Sequence, residues 1–180
     1  MPTRAQALNA FYSGPIWQAH RNAANVTMAD SDNVLLLRPA SVASGFARPN
    51  TSRPALGALA SSTGIVVATI YYFGSEVDPG FVDFFDARVA PVLASAGAEV
   101  LATLVSETSA NTFPRLPVRE REHVFIWFTQ FEDVNAFARY QAKLDRNSSW
   151  QLIQAKLKGF IVRDETLRLA PTPRSLLPAL

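Results

Sequence analysis

The sequence predicts an α+β fold: a strand–helix–strand–strand–helix–strand module over residues 64–173, preceded by a helix–strand pair over 1–40. Three observations predict it. β-Branched and aromatic runs of strand length stand at 65–73, 100–106 and 123–131. After the first and the third of these, apolar residues return at helical spacing. Prolines, glycines and acidic caps fall at the joints between the runs.

At the N-terminal end, Ser13-Gly14-Pro15 reads as a helix start, with proline where its missing N–H costs nothing. The helix expected over 16–28 has a modest apolar stripe of Ile16, Ala19, Ala23 and Val26. The turn cluster Asp30-Ser31-Asp32-Asn33 stops it. A short strand at 34–38 follows, closed by Pro39. Residues 41–63 are rich in Ser, Ala, Gly and Pro, with scattered Arg48 and Arg53, and read as a linker or surface wrap.

In the main module, 65–73 is the first strand. Asp78-Pro79 supplies an N-cap and a first-turn proline. Phe81, Phe84, Phe85, Val89, Val92 and Leu93 mark one apolar helix face. Pro91 falls inside that pattern and is expected to kink or end its last turn, and Gly97 to stop the helix. Strands at 100–106 and 123–131 flank a loop, 108–122, that holds Pro114, Pro117, Arg115, Arg119 and Arg121. Its arginines alternate with Glu120 and Glu122, so it reads as a stiff, self-compensating rim or dimer arm. Glu132-Asp133 opens a second helix with acid at its positive end, and Val134, Phe137, Ala138 and Leu144 are its apolar positions. Ser148 with Gln151 resembles a capping box for a further helix carrying Trp150, Ile153 and Leu157. A last strand at 166–170 is ended by Pro171 and Pro173, and 174–180 is a tail. The order is the split βαβ pattern of ferredoxin-like domains, of the kind that pairs into a dimeric α/β barrel.

The first forty residues repeat the end of the module. Leu8-Asn9-Ala10-Phe11 matches Val134-Asn135-Ala136-Phe137, Trp17-Gln18 matches Trp150-Gln151, and Leu35-Leu36-Leu37-Arg38-Pro39 matches Leu167-Arg168-Leu169-Ala170-Pro171. These matches read as a tandem duplication whose first copy lacks its first half. The alternative is that short alanine-rich helices resemble one another. A lone helix and strand cannot bury both faces, so the half-repeat is expected to pack on the module or on another subunit.

Bulk properties exclude several functions. A hydrophobic content of 48% with 18% charge supports a packed core. A net charge of +2 is too small for a nucleic-acid partner. The absence of cysteine removes disulfides, thiolate metal sites and a cysteine nucleophile. No run is apolar enough for a membrane span, and 1–10 lacks the apolar core of a signal peptide, so a cytoplasmic location is the expectation. His20, Arg21, Asp30 and Asp32 do not amount to a metal site, because zinc wants three or four ligands at known spacing and the chain has two histidines. No metal and no cofactor is expected. Phosphate-cradling glycine loops, nucleophile elbows and paired-carboxylate signatures are also missing.

Strand alternation sorts the remaining candidates into faces. His123, Phe125, Trp127, Thr129 and Phe131 point one way and Val124, Ile126, Phe128 and Gln130 the other. Thr69 and Tyr71 share a face of the first strand, and Thr103 stands apart from Ala102 and Leu104 in the second. The aliphatic faces are expected against the helices. The face bearing Thr69, Tyr71, Thr103, Phe125 and Trp127 is then the wall of the barrel interior, a candidate ligand pocket. The alternative is a filled barrel or dimer core in which Tyr and Trp only satisfy their polar tips. Because that face is too apolar to meet water as a large patch, a homodimer is expected.

Residues 111–120 (Asn-Thr-Phe-Pro-Arg-Leu-Pro-Val-Arg-Glu) followed by His123-Val124-Phe125-Ile126-Trp127-Phe128 resemble the NIPSNAP family. So do residues 166–175 (Thr-Leu-Arg-Leu-Ala-Pro-Thr-Pro-Arg-Ser) and His20-Arg21-Asn22-Ala23-Ala24-Asn25. The resemblance implies a dimeric α/β-barrel fold, often in tandem copies, in a family of mostly undefined activity with some members linked to protein–protein contacts. Related barrels include cofactor-independent monooxygenases and haem-degrading enzymes. The haem type calls for an asparagine, a tryptophan and a histidine on one cavity. Trp127 is available, but the first strand has no asparagine and 134–144 has no histidine. Two functions remain. One is a non-catalytic protein that binds a small apolar ligand or a protein partner. The other is a cofactor-independent monooxygenase-type enzyme in which Tyr71, Trp127 and the base His123 are the catalytic candidates. A lone histidine at a strand start is more often a surface or hydrogen-bonded residue.

Overall fold

The computed structural model describes residues 2–47, 64–176 and, between them, 55, 57 and 59. Most of the expected linker, including Arg48 and Arg53, and the end of the tail lie outside the described residues. The chain divides into two compact units, 1–37 with 106–122 and 38–105 with 123–180.

The second unit holds the βαββαβ module. β2 (Ile65–Phe73), β3 (Val100–Ser106), β4 (His123–Phe131) and β5 (Arg163–Leu169) form an antiparallel sheet, extended by the three-residue β1 (Leu37–Pro39) to the order β1-β3-β4-β2-β5. β-Branched and aromatic side chains fill β2 and β4, the central strands, which are buried on both faces and therefore read as continuous apolar runs. β5 begins three residues before the expected 166–170. Its opening Arg163-Asp164-Glu165 is polar, with Arg163 and Asp164 exposed and Glu165 half-buried, because among the described residues β5 is an edge strand with only β2 beside it.

Between β2 and β3 runs a helix in three pieces: α3 (Pro79–Phe84), a π-helical turn (Phe85–Val89) and α4 (Ala90–Ala96). The Asp78 carboxylate accepts the Gly80 N–H at 2.6 Å, and Pro79 occupies the first turn, as the sequence predicts. Pro91 does not end the helix. The wider turn just before it relieves the clash between the proline ring and the preceding carbonyls, so the helix continues to Gly97. Gly97 has φ 106°, a left-handed conformation that glycine adopts without penalty, and the Ala98 N–H returns to the Leu93 carbonyl at 3.0 Å.

After β4 come α5 (Val134–Asp145) and α6 (Ser148–Leu157). Asp133 caps α5, accepting the Ala136 N–H at 2.7 Å. Asp133→Ala is expected to cost about 1 kcal/mol and to lower the thermal midpoint by about 2–4 °C. Asp133→Asn, which keeps the acceptor, should lose little; equal losses in melting experiments would refute the capping role. The cap of α6 is Asn147, one residue before the expected Ser148: its Oδ1 accepts the Trp150 N–H at 3.0 Å, while Gln151 Nε2 donates to the Asp145 carbonyl at 3.1 Å.

The expected assignment of the sheet faces is reversed. Tyr71, Phe125 and Trp127 lie beneath the helices in one core with Phe81, Phe85, Val89 and Leu93. Phe85 sits 4.7 Å from Phe125 and 5.2 Å from Trp127 between ring centroids, and Phe81 sits 5.2 Å from Phe125. The helices present large aromatic rings, and the aromatic sheet face interlocks with them. The aliphatic face of Val66, Ala68, Ile70, Val124 and Ile126 points the other way and is likewise buried. On that side Phe46 rests on Phe128 at 4.8 Å. Residues 40–44 bond to β3 through Ala40 N–H to the Thr103 carbonyl at 3.0 Å and Thr103 N–H to the Ser44 carbonyl at 2.8 Å, so the start of the expected linker is a structured edge. With both faces covered, the apolar patch from which a homodimer was expected is not exposed.

In the first unit, α1 (Pro2–Ser13) precedes α2 (Pro15–Asn25). α1 is absent from the sequence reading because its apolar residues do not gather on one face. α2 starts at the expected Gly14-Pro15 and stops at Asn25, three residues early. The loop between β3 and β4 belongs here: Tyr12 stacks on Phe113 at 5.5 Å, Arg4 donates to Asn111 Oδ1 at 2.8 Å, and Glu107 and Arg119 N–H groups bond to the Leu36 and Val34 carbonyls. The expected self-compensation of this loop takes the form of an Arg119–Glu122 pair at 2.6 Å. No helix among the described residues is long and apolar enough to cross a membrane.

Candidate functional site

A cleft of about 550 Å³ opens in the second unit between the helix-covered sheet face and the α5–α6 pair. Its floor comes from alternate residues of the central strands, Val67, Thr69 and Tyr71 of β2 with Trp127 and Thr129 of β4. The register Thr69↔Trp127 and Tyr71↔Phe125 puts these side chains on one face. Its wall comes from the buried stripe of α5 (Phe137, Tyr140, Leu144) and of α6 (Trp150, Leu157). The rim is polar and exposed: Gln141, Asp145, Gln154 and Lys158 from the helices, Asp164 and Thr166 from β5.

Of the residues expected in a pocket, Thr69, Tyr71 and Trp127 line this cleft, although it lies under the helices rather than inside a barrel. Thr103 and Phe125 share the face but do not line it. Thr103 is buried on β3, with a hydroxyl that has no hydrogen-bond partner among the described residues, and Phe125 is fully buried among the phenylalanines of the α3–α4 helix. His123 sits at the outer end of β4, paired with Phe73, and does not line the cleft. Three residue sets were not foreseen. Tyr140 stands at i+3 from Phe137 and i−4 from Leu144, so the helical period carries a signal for it. Trp150 was placed on its helix but not in a site. Asp164 and Thr166 carry no local signal, because the β2–β5 register (Tyr71↔Asp164, Thr69↔Thr166) is what brings them here.

Tyr71 and Trp127 meet edge to face, their centroids 4.5 Å apart and their planes inclined by 65°. Burial pushes the Tyr71 phenol well above the usual tyrosine range, and the negative charge of Asp164 and the neighbouring Tyr140 push it further the same way. Burial raises Tyr140 similarly. Both are therefore neutral phenols at ordinary pH, each with a proton to donate. Among the described residues, neither hydroxyl has a hydrogen-bond partner in the protein. The same is true of the Trp127 and Trp150 indoles. Unpaired donors on largely buried side chains, open to a cleft, are the chemistry of a ligand site. Elsewhere, Asp30 and Asp32 share a hydrogen bond that lowers the first pKa and raises the second, both on the surface. Among the described residues, no three His, Asp or Glu groups gather as they would around a metal ion.

No protein-family model matches the chain, and no curated protein matches it. Solved structures do. A NIPSNAP family protein from Agrobacterium tumefaciens is 18% identical over 66% of this chain and 95% of its own, with a TM-score of 0.52. A second NIPSNAP family protein of unknown function from the same organism is 18% identical over 63% of this chain and 93% of its own, with a TM-score of 0.50. SnoaB, a cofactor-independent oxygenase from Streptomyces nogalater, is 11% identical over 61% and 94%, at a TM-score of 0.40 that carries no functional argument. The likeness to the two NIPSNAP proteins is one of fold, and it is the fold that the resemblance in the sequence implied.

Proposed function

We propose that this NIPSNAP-like chain binds a small, largely apolar ring-bearing molecule in the cleft between its sheet and α5–α6, and that it does so as a homodimer. The observation that carries the first part is the Tyr71 hydroxyl, on a residue 5% exposed at the floor of a cleft of about 550 Å³, with no hydrogen-bond partner among the described residues. Aromatic walls supply apolar contact area, and a few polar groups set orientation. Support for association comes from β5, which among the described residues ends the sheet with an unpaired edge and leaves Leu167 39% and Leu169 42% exposed. The catalytic alternative, a cofactor-independent monooxygenase-type enzyme, has lost its candidate base, since His123 is not on the cleft; the carboxylates that remain there are Asp145 and Asp164.

Native mass spectrometry of the protein purified from its own host tests both parts in one spectrum. The expected species is a dimer carrying a small-molecule adduct that is released on denaturation. A dimer with nothing bound would move the function to a protein partner, and a monomer at micromolar concentration would refute the association.

A further inference from the structure

Resting on the ligand-binding reading, we infer that the molecule in the cleft is a flat ring compound whose buried end is a hydrogen-bond-accepting oxygen, such as a ring ketone, and that Tyr71 and Tyr140 select it. The polar groups of the cleft are sorted by depth. Tyr71, Tyr140, Trp127 and Trp150 lie at the floor and wall, 5%, 8%, 4% and 8% exposed. An indole can only donate a hydrogen bond, and a neutral phenol has one proton to donate. Among the described residues, none of these four side chains has its donor satisfied by the protein. The negatively charged acceptors, Asp145 and Asp164, stand at the exposed rim. The buried part of the cleft, where Thr129 also lies, therefore holds donor-only indoles and hydroxyls that both donate and accept, but no acceptor-only group; the acceptor-only carboxylates are in the wet part.

This ordering discriminates between ligand chemistries. A carbonyl oxygen finds donors among largely buried rings, where a hydrogen bond is stronger than in bulk water. An amine or ring N–H finds its carboxylates only at the rim, where water competes for them. A hydrocarbon of the same shape fills the apolar volume and leaves the phenols unmatched. The 65° angle between the Tyr71 and Trp127 rings offers a face and an edge together, which suits a flat ring. Asp164, whose charge acts on Tyr71, opposes ionisation of the phenol and so keeps its proton available.

The probes are 1-indanone and indane, alike in shape and differing by the carbonyl, titrated into the intact protein with tryptophan fluorescence as the readout. The expected result is that 1-indanone binds about tenfold tighter than indane. Tyr71→Phe should bring the ratio of the two affinities to about one, and Tyr140→Phe should reduce it, each ratio being taken within one variant. Thermal melting below pH 9 serves as the control for folding of each variant. Equal affinity for the two probes, or a preference that survives Tyr71→Phe, would overturn the inference and leave the cleft reading standing. Failure of both probes to bind the wild-type protein would overturn both.

Discussion

Phe85→Ala is expected to cost about 3–5 kcal/mol of folding stability. The side chain is fully buried, in the π-helical turn, with Phe125 and Trp127 rings 4.7 and 5.2 Å away. Removing a ring from that position leaves a cavity between helix and sheet that the two neighbouring strands cannot close without moving. A domain of this size has about 5–15 kcal/mol in total, so the loss is a large fraction of it and should lower the melting midpoint by roughly 6–20 °C. Phe85→Leu keeps most of the volume and should cost less than half as much. Urea unfolding of the three proteins decides it. A loss under about 1 kcal/mol for Phe85→Ala, with an unchanged denaturant slope, would mean that the aromatic sheet face is not packed against this helix.

Stability is expected to fall steeply above pH 10, and the cause is Tyr71 and Tyr140. Both phenols have their pKa raised in the folded state, chiefly by burial. The unfolded chain releases these protons near pH 10, the ordinary tyrosine value. Below that pH both states are neutral and the two residues contribute in full. Above it the unfolded state ionises while the folded state does not, so each tyrosine removes about 1.4 kcal/mol of stability per pH unit until its folded pKa is reached. At pH 11 the pair together should have cost about 2.8 kcal/mol relative to pH 9. The double variant Tyr71→Phe with Tyr140→Phe should lose far less over the same interval. Identical pH slopes for wild type and variant, read from urea midpoints at pH 9 and pH 11, would show that these phenols are not held neutral by the fold. The result bears on the cleft as well, since the same neutrality keeps the two donors available to a ligand.

What the sequence by itself determined is what neighbouring residues decide between them. Asp78-Pro79 starts a helix because a carboxylate can accept a nearby N–H and proline has none to lose. Gly97 ends it because its φ of 106° penalises any side chain. The β-branched and aromatic runs of β2, β3 and β4 declare themselves as strands, and their order with the helices gives the ferredoxin-like fold. Alternation along β4 correctly separated Phe125 and Trp127 from Val124 and Ile126. It could not say which set meets the helices, because both sets are apolar and both are buried; the rings of Phe81 and Phe85 decided that. Pro91 stayed within a helix because the turn before it could widen. The cleft lay furthest from local signals. Tyr71 and Asp164 come together only through the pairing of a central strand with a polar edge strand, and Tyr140 and Trp150 only when two helices close over them. A strand's side-chain period fixes which residues share a face, but its register and its covering layer are set by contacts between residues far apart in the chain, and these exist only once the chain has folded.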